Sequence, residues 1–297
     1  MAITNTRAVL VVRETDYESL LARHATRGQA RFFLASRGQR FEEVEARHHE
    51  FHAVLARARA AVPVEWRHAQ VKRGDLDRFL FEPDDVVVAV GQDGLVANVA
   101  KYLGRQPVIG VNPLPACYDG VLARLPVERL AALLPASAAG AALVERRTMV
   151  QAERDDGARL FALNEIYVGH RSHQSARYRI EAEGEAEEHA SSGVIVASGT
   201  GATGWARSIA EATHLGLSLA PEERAVGYWV REPFPSIATA TRLRAGKLTD
   251  APLTVTSRMH DDGVIFADGI EQDFLAFDWG RQVRISTAER VLHLVHE

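Results

Sequence analysis

The sequence predicts an α/β protein: a Rossmann-like N-terminal α/β domain with a parallel sheet, followed by a β-rich C-terminal domain. In the first half, apolar runs such as Arg7 to Val12 alternate with helical patterns, which is typical of a parallel sheet with crossover helices. The run Val86 to Val90 is almost entirely valine, as in a strand buried on both faces. Later in the chain, hairpin signals replace this alternation, such as the turn sequence Asp155-Asp156-Gly157 between two β runs.

The elements of the first half follow in order. A strand over Arg7 to Val12 leads into an amphipathic helix over Asp16 to His24, and a longer helix is expected from Phe41 to Ala61. Further strands are expected at Val64 to Trp66 and at Val108 to Val111. Strands and helices therefore alternate, as the parallel sheet requires.

A stretch of small, poorly patterned residues, Leu134 to Gly140, marks the expected domain boundary and divides the chain into residues 1–138 and 139–297. Beyond it, the Glu-rich run Glu181 to Glu188 is expected to form a solvated hairpin at the edge of a sheet. The last strand, Val291 to Val295, is expected to return to the first domain.

Composition excludes several classes of partner. The 297 residues include 35 basic and 39 acidic side chains, a formal charge of −4, so no overall positive field exists to hold nucleic acid or an anionic membrane. Cys117 is the only cysteine, which excludes an internal disulfide and fits a reducing cytoplasm. The first residues do not resemble a signal peptide, and no apolar stretch approaches transmembrane length.

The first segment that carries chemistry is Gly91-Gln92-Asp93-Gly94, between the run Val86 to Val90 and a helix reaching Tyr102. Open α/β sheets bind ligands at the carboxyl ends of their strands. Glycines there let a phosphate approach the backbone, and the helix start offers N–H groups. A carboxylate in this place suits accepting a hydroxyl proton or holding Mg²⁺, although the same four residues also make a plain turn.

The second segment is Ser191 to Trp205, in which a strand leads into a loop of glycines and hydroxyls at 199–205 before a helix over Ala206 to Thr213. Hydroxyls and bare N–H groups bind phosphates without net charge. The loop matches neither a Walker loop nor a Gly-x-Gly-x-x-Gly fingerprint, and an ordinary helix-entry loop is the alternative.

The third segment is the pair Asn164-Glu165 within the β run Leu163 to Val168. Neighbouring residues on a strand point to opposite faces, so both side chains reach one ligand only at a strand end or a bulge.

Three histidines, His48, His49 and His52, lie on the expected long helix with Glu50 between them. The spacing His-Glu-Phe-His lacks the two-residue gap of a zinc-binding helix. A solvated helix face is the preferred interpretation, and no metal ligand is predicted.

Taken together, and in their order along the chain, the three segments resemble the NAD kinase family. Its hallmarks are a Gly-Gly-Asp-Gly turn, an Asn-Glu or Asn-Asp pair, and a strand entering a Thr-Gly-Ser-Thr-Ala-Tyr-like loop. Ser191-Ser192-Gly193 and Gly199-Thr200-Gly201 resemble the mitochondrial-type branch. The resemblance runs from about Arg7 to the C-terminus. Further support comes from Asn164 to Gly169, Gly110 to Pro113 and Arg231 to Pro233.

The resemblance implies transfer of the γ-phosphoryl group of ATP, with Mg²⁺, to the 2′-hydroxyl of the adenosine ribose of NAD, which yields NADP. Asp93 would be the catalytic group. Glu165 would hold ribose hydroxyls, Asn164 would read the adenine end and Trp205 would offer a stacking face. The nucleotide-binding set that the resemblance implies is Gly91, Gln92, Gly94, Asn164, Glu165, Thr200, Gly201, Ala202, Thr203, Gly204, Trp205 and Asp268.

Two departures from the family pattern matter, because Gln92 replaces the second glycine and Leu95 replaces the usual threonine. If position 92 required a positive φ, glutamine would cost about 1 kcal/mol, and its side chain would fill space meant for phosphate. Two alternatives stay open: a non-catalytic NAD- or NADP-binding protein of the same fold, and a lipid or sugar kinase of the same superfamily. The family is usually oligomeric, so a homo-oligomer is expected.

Overall fold

The computed structural model describes residues 6–296. The chain divides into two compact units: the first runs to Glu145 and also includes the chain from His293 onward, and the second is Arg146–Leu292. Within the described part of the chain, no helix is both long and apolar enough to cross a membrane.

The helices are α1 (Asp16–His24), α2 (Arg27–Ala35), α3 (Phe41–Ala60), α4 (Asp93–Ala100), α5 (Leu130–Ala138) and α6 (Trp205–Thr213). The strands are β1 (Arg7–Val12), β2 (Arg67–Lys72), β3 (Asp85–Val90), β4 (Pro107–Val111), β5 (Leu143–Arg154), β6 (Arg159–Ala162), β7 (Glu165–His170), β8 (Ala176–Ala182), β9 (Glu185–Ser191), β10 (Val194–Ala197), β11 (Val226–Val230), β12 (Ala245–Leu248), β13 (Leu253–Ser257), β14 (Gly263–Ala267), β15 (Phe274–Ala276) and β16 (Gln282–His296).

The first unit is built on a parallel sheet in the order β2-β1-β3-β4, and the predicted α/β class is confirmed. Every residue of β3 is buried, because its β-branched side chains pack on both faces of the sheet. Beyond β4, the end of β16 adds a further parallel strand, in which His293 and Leu294 pair with Pro107 and Val108.

Two expectations for the first unit need correction. Val64–Trp66 is not a strand: Pro63 opens a turn in which the Trp66 N–H donates to the Pro63 carbonyl at 3.0 Å, and the strand begins at Arg67. Most side chains of β2 are exposed and polar, so its sequence lacks the apolar pattern of a strand. The segment Leu134 to Gly140, although poorly patterned, is largely the second half of α5.

The second unit contains two antiparallel arrangements of strands, and the predicted β-rich character is confirmed. One sheet has the order β12-β11-β10-β7-β14-β15. The other strands pair as β16-β13-β8-β9, with β5 and β6 forming a hairpin alongside. Buried residues from both arrangements, among them Ile166, Tyr178 and Val255, form one hydrophobic core.

The Glu-rich run forms the β8–β9 hairpin at the edge of its sheet, as predicted. Its turn places Glu183 and Gly184 at φ +53° and +85°. One glutamate departs from the expected solvated face. Glu187 is buried, and its carboxylate accepts from the backbone N–H of Leu243 at 3.1 Å and from the Arg242 guanidinium at 2.9 Å.

Candidate functional site

The strand order of the first unit creates a topological switch point between β1 and β3, since β2 lies beside β1 and β4 beside β3. Such points in open α/β sheets carry ligand sites at the carboxyl ends of the strands. A cavity lies there, lined by Gly91 and Gln92 after β3, by Arg13 after β1, and by Tyr118. Sequence reasoning missed Arg13, although the strand-end rule applied to β1 would have found it.

Gln92 fits its position without backbone strain. Its φ is −84° and its ψ is 168°, which is extended backbone, so the positive φ considered from the sequence does not occur. Its side-chain oxygen accepts a hydrogen bond from Arg13 Nη1 at 3.2 Å. The Leu95 side chain packs closely against Gly91, since a Cβ on Gly91 would lie 2.9 Å from Leu95 Cδ2. The glycine therefore leaves room for the leucine.

Asp93, the first residue of α4, holds a neighbouring loop through three backbone hydrogen bonds. Its Oδ1 accepts from the N–H groups of Leu122 and Ala123, both at 2.8 Å, and its Oδ2 accepts from Val121 at 2.9 Å. The loop also packs on Gly110, where a Cβ would lie 2.2 Å from the Leu122 carbonyl oxygen. Because a carboxylate oxygen has about two acceptor sites, Oδ2 retains one for a ligand.

Asn164 and Glu165 lie at a strand end, which is the condition that lets both side chains reach one ligand, since β7 begins at Glu165. Asp268 organises this strand start. Its carboxylate accepts from the backbone N–H groups of Leu163 at 2.9 Å, Asn164 at 2.8 Å and Glu165 at 3.3 Å. Asp268 has a φ of +50°, a conformation that aspartate tolerates better than most residues.

The carboxyl group of Glu165 lies in an environment that disfavours its charge. Burial, and then the neighbouring carboxylate of Asp268, raise the pKa of Glu165 to about 8. Glu165 is therefore mostly protonated at neutral pH. A protonated carboxyl both donates and accepts hydrogen bonds, which suits the recognition of a hydroxyl group.

The loop from Gly199 to Gly204 satisfies most of its own donors, contrary to the expectation of bare N–H groups. Ser198 Oγ accepts from the N–H groups of Thr200 at 3.1 Å and Gly201 at 3.2 Å. The N–H groups of Ala202, Thr203 and Gly204 donate to the carbonyl oxygens of Ser198, Thr200 and Gly201. A short 3-10 helix, Gly201–Thr203, closes these bonds.

The same loop packs directly on the Asn164 backbone. A Cβ on Gly201 would lie 2.0 Å from the Asn164 carbonyl oxygen, and the Ser198 N–H donates to that oxygen at 3.0 Å. Thr200 is buried, and its hydroxyl accepts from Arg147 Nη1 at 3.3 Å. Asn164, Glu165, Asp268 and the loop thus form one cluster.

Trp205, the first residue of α6, lies beside a second aromatic ring and a cation. Its ring stacks on Tyr167 with centroids 6.0 Å apart, and the Arg231 guanidinium lies 5.1 Å from the Trp205 ring centroid. These residues line a cleft of about 660 Å³ together with Arg171 and Phe274. Aromatic faces beside guanidinium groups suit a planar base attached to an anion.

No protein-family model matches the chain, and no curated protein matches it in sequence. The crystal structure of an NAD kinase from Archaeoglobus fulgidus in complex with ATP superposes with a TM-score of 0.60 at 19% sequence identity. That match covers 98% of this chain and 93% of the archaeal chain. This chain has the fold of the NAD kinases.

The crystal structure of yeast NADH kinase complexed with NADH also superposes with a TM-score of 0.60, at 14% identity. It covers 99% of this chain and 84% of the yeast chain. In the NAD kinase fold of this chain, the predicted site residues fall into two groups. Gly91, Gln92, Asp93 and Gly94 belong to the first unit, and the remaining predicted residues belong to the second.

Proposed function

We propose that the chain transfers the γ-phosphoryl group of ATP to the 2′-hydroxyl of the adenosine ribose of NAD, producing NADP. The observation that carries this proposal is the position of Asp93 after β3, at the switch point of a fold matched over 98% of the chain by an NAD kinase. Positioning and electrostatic stabilisation dominate phosphoryl transfer, so a correctly placed carboxylate and phosphate-binding backbone are its main protein requirements.

In the proposed reaction, the ribose 2′-oxygen forms a bond to the γ-phosphorus. The bond between that phosphorus and the bridging oxygen of ADP breaks, and ADP leaves. The hydroxyl proton passes to Asp93 Oδ2, the carboxylate oxygen that accepts one backbone N–H rather than two.

We assign phosphate contacts to Gly91, Gln92 and Gly94. Arg13 donates a hydrogen bond to the Gln92 side chain and so places a positive charge beside these contacts. The Gly94 backbone is open, since a Cβ there would meet nothing within 4 Å. Glu165 holds ribose hydroxyls through its protonated carboxyl, Asn164 reads the adenine end, and Trp205 supplies a stacking face.

Mg²⁺ neutralises phosphate charge in this class of reaction. The donor set fits a cation carried mainly by the nucleotide: Asp93 Oδ2 has one acceptor site left, which serves a cation or a hydroxyl but not both. The phosphates and water would therefore be the principal magnesium ligands, and we assign Asp93 to the hydroxyl.

A non-catalytic protein that binds NAD or NADP is the second candidate, and one observation favours it. The three N–H groups on Asp93 give this carboxylate a structural task that is independent of catalysis. The loop at Val121 to Ala123 would need Asp93 even in a protein without activity.

Incubation of the purified chain with NAD, ATP and MgCl₂, followed by chromatographic measurement of NADP and ADP, tests the proposal. We expect NADP and ADP in equal amounts. NAD binding measured by calorimetry without any NADP formation would establish the second candidate instead. Parallel reactions with polyphosphate as donor and with NADH as acceptor define the substrate preference.

We also propose that the protein belongs to the mitochondrial-type branch of the NAD kinases. We propose that it works in the cytoplasm and that it forms a homo-oligomer. The single, exposed Cys117 supports a reducing compartment. Exposed apolar side chains at Phe234 and Ile237 support association between copies. Light scattering coupled to size-exclusion chromatography measures the number of subunits.

A further inference from the structure

Three side chains from two helices of the first unit meet at one point. Glu18 comes from α1, and His48 and His52 come from α3. The two histidines are four residues apart, so they lie on the same face of α3. One potential ligand atom from each of the three residues lies within 4.8 Å of the other two.

The contacts within this cluster, hereafter the Glu18–His48–His52 cluster, are close. His52 Nε2 lies 3.2 Å from Glu18 Oε1, and the rings of His48 and His52 have centroids 4.4 Å apart. All three residues are partly buried, and the His52 and Glu18 side chains remain 42% and 39% exposed, so the cluster is open to a small ion.

Thr15 orients two members of the cluster. Its backbone N–H donates to Glu18 Oε2 at 2.8 Å, and its hydroxyl donates to the same oxygen at 3.1 Å. The single hydroxyl proton is then committed, so we assign the 2.8 Å contact between Thr15 Oγ1 and His48 Nδ1 to donation by the imidazole. The proton on Nδ1 leaves a lone pair on Nε2, the form in which imidazole binds a metal.

We propose that Glu18, His48 and His52 bind a divalent transition-metal ion, with Zn²⁺ as the chemical prototype. Two imidazoles and one carboxylate are a ligand set that Zn²⁺ uses with water in its remaining position. Mg²⁺ prefers an all-oxygen shell and does not compete for such ligands.

The proposed site differs from the sequence-based interpretation of the histidines as a solvated face. That interpretation considered the spacing of His49 and His52, whereas the relevant pair is His48 and His52. The third ligand, Glu18, lies on another helix and has no signal in the spacing. His49 is exposed and lies outside the Glu18–His48–His52 cluster.

Zinc binding by the full chain, stripped with EDTA and dialysed, tests the proposal without any nucleotide, so its outcome is independent of kinase activity. Calorimetric titration with ZnSO₄ should show one equivalent bound, unaffected by excess MgCl₂. His48→Ala and His52→Ala should each weaken binding by at least about a hundredfold, and Glu18→Gln should weaken it while retaining the capping interaction. His49→Ala is the matched control and should bind as the unmodified chain does.

Cobalt substitution gives a second readout, because Co²⁺ held by imidazole and carboxylate has intense visible absorption that depends on its geometry. Loss of this spectrum in His52→Ala, with the helical circular dichroism retained, would support the site. Unchanged zinc affinity in both His48→Ala and His52→Ala, or no stoichiometric zinc binding by the unmodified chain, would overturn the proposal.

Discussion

Asp268 and Glu165 are joined by a reciprocal pair of hydrogen bonds: Asp268 Oδ1 accepts from the Glu165 N–H at 3.3 Å, and the Asp268 N–H donates to the Glu165 carbonyl oxygen at 3.0 Å. This pairing brings two carboxyl groups together at the start of β7. Burial and the nearby Asp268 carboxyl group keep Glu165 protonated. The Asp268 carboxyl group accepts hydrogen bonds from three backbone N–H groups. The start of β7 therefore combines a protonated Glu165 carboxyl with an Asp268 carboxyl group that accepts from the backbone.

Glu165→Gln should stabilise the protein at alkaline pH. The pKa of Glu165 is about 8 when folded and 4.5 as its ordinary value, so the unfolded chain loses this proton first as pH rises. The tighter binding of this proton in the folded state therefore contributes to the free energy of unfolding in full below pH 4.5, and this contribution is lost as pH rises to about 8. Glutamine removes the effect, so urea unfolding should show a gain of about 1–3 kcal/mol at pH 8 and little change at pH 4. An equal change at both pH values would contradict the proton assignment.

Asp268→Ala should destabilise the second unit by about 2–4 kcal/mol, because three backbone N–H groups lose their acceptor. Asp268→Asn should cost less, since its amide oxygen still accepts and asparagine tolerates a positive φ. Asp262→Ala is the matched control: Asp262 also has a positive φ, +53°, but is exposed. If both alanine variants lost the same stability in urea unfolding, backbone strain rather than the hydrogen bonds would be responsible.

Gly201→Ala should destabilise the protein by at least about 2 kcal/mol, because the new Cβ would lie 2.0 Å from the Asn164 carbonyl oxygen. Gly216→Ala, where a Cβ meets nothing within 4 Å, should change stability by less than about 0.5 kcal/mol. Thermal unfolding of both variants measures the difference. A neutral Gly201→Ala would show that the loop and Asn164 do not pack as described.

Gly94→Ala should separate folding from phosphate binding. The position lies in α4 with free space for a methyl group, so stability should hold or rise by up to about 1 kcal/mol. If ATP phosphates approach this backbone, the KM for ATP should rise at least about tenfold while the KM for NAD changes little. Gly74→Ala, which also has free space, serves as the control in steady-state kinetics. An unchanged KM for ATP would place the phosphates elsewhere.

Asp93→Asn should lower turnover by at least about a hundredfold while leaving NAD affinity largely intact, as expected for loss of a general base. The amide nitrogen would also face an N–H donor of the loop at Val121 to Ala123, so stability should fall by about 1 kcal/mol. Kinetics and unfolding must therefore be measured on the same preparation. Near-normal turnover would show that Asp93 holds the loop but does not act as the general base.

The elements that could be predicted from sequence are those with a strong local pattern. Arg7–Val12 and Asp16–His24 appear with the expected bounds, because a buried strand and an amphipathic helix each have a distinct periodicity. The strand Arg67–Lys72 could not be predicted, since most of its polar side chains face solvent. Pattern alone carries no information about a strand with so little buried surface.

The candidate site likewise has features that could be predicted from the sequence and features that could not. Asp93 was accessible to sequence reasoning, because glycines and a carboxylate after a buried strand are a local signal. Its three hydrogen bonds to the loop at Val121 to Ala123 were not, because they join residues about thirty positions apart. The protonation of Glu165 could not be predicted from the sequence either, since it depends on burial and on Asp268, which is more than a hundred positions away.

The pairing of His293 and Leu294 with β4 has a consequence for how the protein is made on the ribosome. Chains emerge from the N-terminus, and domains generally fold as soon as their residues are available. Here β1 to β4 are synthesised early, whereas the strand that covers the outer side of β4 follows after nearly two hundred further residues. During translation β4 is therefore an open sheet edge, and the nascent chain is most exposed to wrong pairing in that interval.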